Sequence, residues 1–204
     1  MAKRTLNKDG ILAKATALMK QRGIKAVTVR GLAEELNVTP MAIYKHFENK
    51  DDLLSSLLES FIANADVLPK TPLSWDRWLH HVGKAMWTAL TTEPGWMALI
   101  TASRVRIGGV KVLAACMDVM EDAGFSAEQA MEAFFSIVHV SVGSACLQSR
   151  LERMDMAQPF DVSDPQLVQR VLRDLKSTEV LREAHRIERS IDLLVTALHS
   201  RLST

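Results

Sequence analysis

A tyrosine, a lysine and a histidine stand side by side as Tyr44, Lys45 and His46, and Tyr44 is the one tyrosine among the 204 residues. A phenol, an ammonium and an imidazole group can each donate a hydrogen bond to a phosphate oxygen, and the ammonium group also neutralises its charge. On a helix, Tyr44 points away from the face shared by Ile43 and Phe47, which predicts an exposed contact residue. In the alternative interpretation, Tyr44 closes a small helical core and His46 merely ends the helix. The pattern favours Tyr44 as an exposed contact residue with basic neighbours.

Short helices are predicted on both sides of this group. Apolar residues recur at helical spacing over positions 11–19, and Thr28 and Thr39 are suitable N-caps, the second followed by Pro40. The predicted helices cover residues 8–22, 29–37, 40 to about 46, and about 50 to 66. The second and third are joined by a turn around Val38, which is the spacing of a helix-turn-helix. In that motif the second helix enters the major groove of DNA by its N-terminal half.

The charges of the chain are divided between its two parts. The formal net charge is +1, but residues 1–50 hold ten Lys and Arg against four Asp and Glu, net +6, which leaves fifteen against twenty, net −5, for residues 51–204. A basic segment on an acidic body suits a DNA-binding head. The basic residues that could neutralise phosphate there are Lys3, Arg4, Lys25, Arg30, Lys45 and Lys50. Any one of them could be an ordinary solvated charge, so only the cluster as a whole indicates DNA binding.

The remainder of the chain is predicted to be helical. No segment shows sustained alternation with β-branched residues, so we expect an all-α protein of nine or ten helices. The longest stretch without a formal charge, Ala133 to Ser149, is interrupted by serines and by His139. It is shorter and more polar than the roughly 20 residues that a membrane span needs. We therefore expect a buried helix there, no membrane partner and, since no signal peptide precedes it, a cytoplasmic protein.

The body of the chain carries no motif for catalysis, with no G-x-S-x-G, H-E-x-x-H or glycine-rich phosphate loop. His80 and His81 are adjacent and point about 100° apart on a helix, so they cannot share a metal ion. No catalytic residue, metal or cofactor is expected. Cys116 and Cys146 lack C-x-x-C spacing and are expected to be buried thiols. A small all-α enzyme or carrier that uses His139 and an apolar cavity is the alternative outside DNA binding.

Residues 6–61 resemble the N-terminal domain of the TetR family of bacterial transcriptional regulators. The resemblance is most specific in G-I-K-A-V-T-V-R-G-L-A, in N-V-T-P-M-A-I-Y-K-H-F and in the following N-K-D-D-L-L. It implies a three-helix DNA-binding head, a helical ligand-binding and dimerisation body, and contacts to DNA phosphates or base edges at matching positions. These positions are Thr28, Arg30, Thr39, Pro40, Met41, Ala42, Tyr44, Lys45, His46 and Lys50.

The first turn of the third helix departs from what direct base reading usually requires. Pro40, Met41 and Ala42 have no hydrogen-bonding side chain. Readout there would depend on apolar contact with thymine methyl groups, together with whatever Lys45 or Arg30 does to guanine.

The body carries a concentration of large, adaptable apolar residues. All four tryptophans lie between Trp75 and Trp96, and seven of the ten methionines lie between Met86 and Met156. Such residues suit an adaptable cavity, although helical core packing uses them too. The resemblance implies an inducer pocket in this region, for which the candidates are Trp78, Met86, Trp96, Met97, Ile100, Met117, Met120, Phe134 and His139. For His139, a hydrogen-bonded core or interface position is preferred over a ligand contact.

Two helices are predicted to form a dimer interface. A helix from about Glu179 to Leu202 carries one apolar stripe, and a long helix from Ala127 to Met154 contains small residues that allow close packing. The resemblance implies a four-helix interface made of Val138, Val142, Ser144, Ile187, Ile191, Leu194, Val195, Leu198 and Leu202. Packing within one chain could instead satisfy both helices.

The resulting hypothesis places a helix-turn-helix head in residues 1–52, connected by the fourth helix at about 50–66, and a ligand-binding and dimerisation domain in residues 53–204. The expected function is a ligand-responsive repressor that binds a palindromic, two-fold symmetric operator in double-stranded DNA as a homodimer. A small, apolar or aromatic inducer would release it. The alternative is an activator, or a regulator without an inducer that a protein partner controls.

Overall fold

The computed structural model describes residues 6–93, 95–102, 109–151, 164–177 and 183–202, and within these ranges the chain is all-α. Ten α-helices follow one another, with one 3₁₀ turn at Ile24–Ala26: α1 (Lys8–Arg22), α2 (Val29–Leu36), α3 (Pro40–Tyr44), α4 (Lys50–Asn64), α5 (Trp75–Thr92), α6 (Gly95–Ala102), α7 (Val110–Asp122), α8 (Ala127–Leu151), α9 (Pro165–Ser177) and α10 (Glu183–Leu202). The predicted fold class and helix number are confirmed. The expected contacts of Lys3 and Arg4, and helix ends at Met154 and Glu179, lie outside the described residues.

The chain divides into two compact units. The first contains Met1–Asp66 and Glu93–Lys111, and the second contains Val67–Thr92 and Val112–Thr204. The four N-terminal helices and α6 therefore belong to the first unit. The core of its N-terminal helices is made of fully buried side chains that the helical spacing places on facing sides: Ile11, Leu32, Ile43, Phe47, Leu53 and Leu57.

Helix α6 is held to the rest of the first unit by one connected group of side chains. The carboxylate of Glu93 accepts a bond from Lys20 Nζ at 2.7 Å and another from Trp96 Nε1 at 2.6 Å. The buried ring of Trp96 stacks on Phe61 of α4, with 3.9 Å between ring centroids. Lys20 and Trp96 both lower the pKa of the Glu93 carboxyl group, because they stabilise its ionised form.

In the second unit, α5 packs against both α8 and α10. The helices approach closely at Gly83, where a β-carbon would come within 2.6 Å of Ile137 Cδ1 and 2.8 Å of Ile191 Cδ1. The buried hydroxyl of Ser141 lies at hydrogen-bond distance from the carbonyl oxygens of Ile137, at 2.7 Å, and Gly83, at 3.1 Å. A side chain at position 83 would therefore separate helices that now touch.

Helix α8 is buried on one side only. Its residues 127–149 are long and apolar enough to span a membrane by length and composition, which is a test that core helices also pass. Ala130, Ile137 and Ala145 are buried, whereas Phe135 and Leu147 on the opposite side are exposed. The predicted burial thus holds for one face of the helix.

The two cysteines differ in their surroundings. Cys116 is buried, and burial raises the pKa of its thiol to about 12. Cys146 is exposed, so the expectation that both thiols are buried is wrong for Cys146. The helical spacing placed Cys146 in an apolar segment, but it lies on the side of α8 that no other described helix of the protomer covers.

Candidate functional site

A tight turn sets the geometry of α2 and α3. Asn37 adopts a left-handed conformation, with φ 53°, and its backbone N–H donates to the Glu34 carbonyl at 3.1 Å. Val38 N donates to the Ala33 carbonyl at 2.9 Å. These bonds end α2 and allow α3 to begin at Pro40, so the two helices form a helix-turn-helix.

The start of α2 is equally constrained. The Thr28 hydroxyl accepts a hydrogen bond from Gly31 N at 3.0 Å, as the predicted cap requires. A β-carbon on Gly31 would lie 2.9 Å from the Ala26 carbonyl oxygen, so glycine is needed for this close approach. No role for Gly31 was predicted from the sequence. Its position three residues after the N-cap Thr28 could have indicated that a small residue is needed there.

Helix α3 is short and has two distinct sides. Ile43 and the following Phe47 are fully buried, while Met41 is 68% exposed and Tyr44 is 46% exposed. The alternative in which Tyr44 closes the core is therefore wrong. The helix ends at Tyr44, earlier than expected, because Lys45 and His46 form a turn that leads Phe47 into the core. Thr39 occupies the N-cap position, but its hydroxyl makes no capping bond.

The basic groups of the head fall into two sets. Lys14 and Arg22 both pair with Glu35, at 2.8 and 3.1 Å, and the Lys14 ammonium group lowers the pKa of the Glu35 carboxyl. Arg30 Nε lies 3.3 Å from Glu34 Oε1, one turn further along α2. By contrast, Lys45 and Lys50 are exposed, and no carboxylate in the described part of the chain forms an ion pair with either.

Lys50 is placed by the cap of α4. The Asn49 side chain accepts from Asp52 N at 2.9 Å, and Asp52 Oδ2 accepts from Glu48 N at 3.0 Å. The Asn49 side chain thus satisfies the backbone N–H of Asp52, and the Asp52 side chain satisfies the backbone N–H of Glu48, in an arrangement similar to a capping box. Lys50 is therefore held at the first position of the helix.

A groove of about 620 Å³ lies in the second unit. One wall is the segment from Leu68 to Ser74 with Trp75 and Trp78. The other is a stripe of Ala115 and Val119 on α7 and Ala123 directly after it. The groove is mainly apolar, with Asp122 among its lining residues. Ala115, Val119 and Ala123 recur at every fourth position, and this spacing in the sequence could have indicated the second wall.

Trp75 is held within an aromatic group. Its ring contacts Phe125 edge-on, with centroids 5.1 Å apart, and His199 at 4.5 Å. Trp75 and Trp78 are both buried within the protomer. The rings are therefore fixed by packing before any ligand arrives.

The nine residues predicted for an inducer pocket are distributed over several places. Trp78 lines the groove, and Met117 and His139 line a second depression that also includes Met131 and Phe135. Trp96, Met97 and Ile100 lie on α6 in the first unit. Met120 and Phe134 are buried in the second unit, and Met86 on α5 is half-buried. His139 is exposed and faces the ring of Phe135.

The apolar stripe predicted for a dimer interface faces its own protomer in part. Ile187, Ile191, Val195 and Leu198 are buried within the single chain, where Ile191 approaches Gly83. For these four side chains, packing within one chain, which was the alternative to a dimer interface, is what the structure shows. Leu202 is exposed, and the side chains that remain half-buried are Val138, Val142, Ser144 and Leu194.

A different apolar surface is exposed on the same helices. On α8 it comprises Met131, Phe135 and Leu147, and on α10 Leu193, which is 74% exposed. We call these four residues the α8/α10 apolar surface. Met131 and Phe135 are four residues apart and share a face of α8, and this spacing could have identified that part of the surface from the sequence.

The fold and the head define a helix-turn-helix protein with a helical C-terminal domain. Residues 11–57 match the family described as bacterial regulatory proteins, tetR family. The class E tetracycline repressor of Escherichia coli is 24% identical over 164 residues, which cover 79% of this chain and 78% of that protein. The class C tetracycline repressor of Escherichia coli is 28% identical over 149 residues, 72% of this chain and 68% of that protein.

Solved structures share the fold over nearly the whole chain. ActR of Streptomyces coelicolor in complex with actinorhodin superimposes with a TM-score of 0.77 at 18% identity, covering 98% of this chain and 97% of that one. A TetR variant from Acinetobacter baumannii AYE in complex with minocycline gives a TM-score of 0.73 at 22% identity, covering 98% and 100%. The N-terminal residues 11–57 thus match the family model of the TetR regulators, and the whole chain shares the fold of these solved structures.

Proposed function

We propose that this protein is a dimeric transcriptional repressor that binds a two-fold symmetric operator through α2 and α3 and is released by a small apolar or aromatic ligand. The observation that carries the proposal is the exposed side of α3 with its neighbours, where Met41, Tyr44 and Lys45 project from a helix anchored by Ile43 and Phe47. The related proteins named above are repressors, and two similar structures hold a small molecule.

The charge arrangement supports docking on DNA. Lys45 directly follows α3 and Lys50 begins α4, and neither forms an ion pair within the described residues, so both can neutralise phosphates. The cations of α1 described above are instead paired with carboxylates. Phosphate contacts fix the register of a recognition helix on the duplex, and side chains at its N-terminal half then meet the bases. The Thr39 hydroxyl, which makes no capping bond, is also available to a phosphate oxygen.

A gel-shift titration tests DNA binding. The probes are the DNA upstream of the protein's own coding region and duplexes selected from a random pool. We expect salt-sensitive binding that Tyr44→Ala and Lys45→Met each weaken by roughly tenfold or more, since each removes a contact to a charged group. Arg173→Met, which removes an exposed cation on α9, is the matched control and should bind as the wild type. Absence of such binding to every probe would refute the proposal.

For the ligand site we propose the groove between the Leu68–Ser74 segment and α7. Its volume of about 620 Å³ is within the range of small-molecule sites, and its mainly apolar lining includes two tryptophans together with Lys70 and Asp122. Trp75 and Trp78 contribute two of the four tryptophans to the fluorescence of the chain, so its quenching by minocycline and by 8-anilinonaphthalene-1-sulfonate can be titrated. Val119→Phe fills the groove and should weaken quenching at least tenfold.

The same substitution elsewhere on α7 provides the control. Val110 is 67% exposed and does not line the groove, so Val110→Phe should leave the titration unchanged. Equal quenching of Val119→Phe and Val110→Phe would exclude the groove as the ligand site. Release of the protein from DNA by the same compound would then link the two sites.

For the dimer we propose that the α8/α10 apolar surface is covered by a second copy. Large exposed apolar patches usually mark interaction surfaces, and a two-fold dimer would bury this one against its own copy. Sedimentation of the wild type should give a dimer, and Leu193→Asp should give a monomer with the same helix content. Leu167→Asp, at an exposed leucine of α9, is the matched control. A dimer that survives Leu193→Asp would place the interface elsewhere.

A further inference from the structure

Two large apolar side chains are exposed in the N-terminal part of the first unit. Within residues 6–66, Met41 and Tyr44 are the large hydrophobic residues that project into solvent, and both are on α3. They are three residues apart and therefore share one face of the helix. Exposing such a pair side by side costs solvation free energy, which is recovered where the pair meets another apolar surface.

The orientation of this pair is fixed by the core beneath it. Ile43 and Phe47 are fully buried, and Lys8 Nζ lies over the Phe47 ring, 5.2 Å from its centroid. α3 cannot rotate to bury Met41 without withdrawing Ile43 from the core. The apolar pair is therefore presented outward in the folded head.

Few hydrogen-bonding groups compete with this pair at the start of α3. Pro40 and Ala42 have none in their side chains, and Arg30, the nearby candidate for reading guanine, is paired with Glu34. In the major groove, thymine is distinguished from the other three bases by its methyl group, which makes apolar contacts.

We propose that Met41 and the ring of Tyr44 form a methyl-reading pair, so that each operator half-site is recognised through thymine methyl groups. This inference rests on the proposed function, because it names the chemical class of sequence that the helix-turn-helix selects. The Tyr44 hydroxyl remains free to bond a phosphate while its ring faces the base. Lys45 and Lys50 hold the helix on the backbone and add no sequence preference.

The experiment replaces thymine by deoxyuridine, which removes the methyl group and leaves base pairing intact. Duplexes selected from a random pool by the full-length protein supply the operator. Each thymine of one half-site is then replaced singly, and the dissociation constant is measured by gel shift. Loss of one contacted methyl should weaken binding roughly fourfold, which is the affinity equivalent of one buried methyl group.

Variants assign the effect to the pair. Met41→Ala should abolish the deoxyuridine effect at one position and Tyr44→Ala at another, because neither variant can contact the methyl group that was removed. Both side chains are exposed, so the variants should keep the wild-type melting temperature. Lys45→Met is the control, since it should weaken all duplexes alike and retain the deoxyuridine effect.

The outcomes separate this inference from the function on which it rests. If no duplex is selected, the proposed function fails and the methyl-reading pair fails with it. If duplexes are selected but every deoxyuridine replacement is neutral, DNA binding stands and the methyl-reading pair is refuted. A deoxyuridine effect that is unchanged in both Met41→Ala and Tyr44→Ala would also refute the pair.

Discussion

Gly83 of α5 lies directly against Ile191 of α10, and a β-carbon at position 83 would approach the Ile191 Cδ1 atom to 2.8 Å. The same β-carbon would meet Ile137 of α8 at 2.6 Å. Both isoleucines are fully buried, so neither can turn aside into empty space. One residue without a side chain therefore allows three helices to meet.

Gly83→Ala should destabilise the protein. Alanine favours a helix over glycine by about 1 kcal/mol, but overpacking a close-packed core costs about 1–3 kcal/mol, so we expect a net loss of roughly 1 kcal/mol. Urea unfolding followed by circular dichroism measures it. Gly95→Ala on α6 is the control, because its β-carbon would make only ordinary contacts, at 3.7 Å or more, with the side chain of Met19. A gain in stability at position 83 would contradict the close packing.

Lys50→Met should reduce the salt dependence of DNA binding. Each phosphate contact contributes about 0.9 to the slope of log affinity against log salt, so two heads that each lose one contact should lower the slope by about 1.8. Gel-shift titrations between about 50 and 200 mM salt give this slope. Arg173→Met removes a charge outside the head and should leave it unchanged. An unaltered slope in Lys50→Met would exclude a phosphate contact by this residue.

The two thiols should react very differently with an alkylating reagent. Burial raises the pKa of Cys116 to about 12, so at pH 8 its thiol is both protonated and shielded, whereas Cys146 is exposed. Iodoacetamide followed by mass spectrometry should modify only Cys146 in the folded protein and both thiols in urea. Cys146→Ser should then show no labelling of the folded protein. Labelling of Cys116 at a rate similar to that of Cys146 would contradict its burial.

If a second copy covers the α8/α10 apolar surface, Cys146 should also react more slowly as the protein concentration rises.

Acid should weaken the link between Lys20 and Glu93. The pKa of Glu93 is lowered by Lys20 and then by Trp96, so the ionised carboxylate is favoured in the folded state. Its stabilisation is fully present above the ordinary value of 4.5 and is lost as the pH falls through the lower folded value. Glu93→Gln should cost about 0.5–1 kcal/mol at pH 7, because the ion pair with Lys20 is lost but is partly screened by solvent.

The difference in unfolding free energy between the wild type and Glu93→Gln should shrink as the pH is lowered below 4.5. The wild-type carboxyl becomes protonated there and is then uncharged, like the amide of glutamine. Unfolding free energies measured between pH 3 and pH 7 provide the comparison. A difference that stays constant over this range would show that the charge of Glu93 does not contribute. Glu59→Gln on α4, an exposed carboxyl, is the control.

Local signals explain which parts of the fold were predictable. The bounds of α1 and the start of α2 follow from their caps, and Ile43 and Phe47 indicated the buried side of α3, so the exposure of Tyr44 could be predicted. Helical spacing shows that a face is apolar, but it does not show which helix covers that face. For this reason the spacing could not tell that Ile187 and Ile191 meet α5 and α8 of their own chain, or that Cys146 is left uncovered.

The path of the chain between the two units restricts how the protein can be divided. It leaves the first unit after Asp66, returns at Glu93 and leaves again after Lys111. A fragment that ends at residue 66 would lose Trp96 and uncover the ring of Phe61. Conversely, a single proteolytic cut between residues 67 and 92 should not release the head, since Lys20 and Glu93 stay paired across the nick. Limited proteolysis would then show two bands on a denaturing gel and one species in solution.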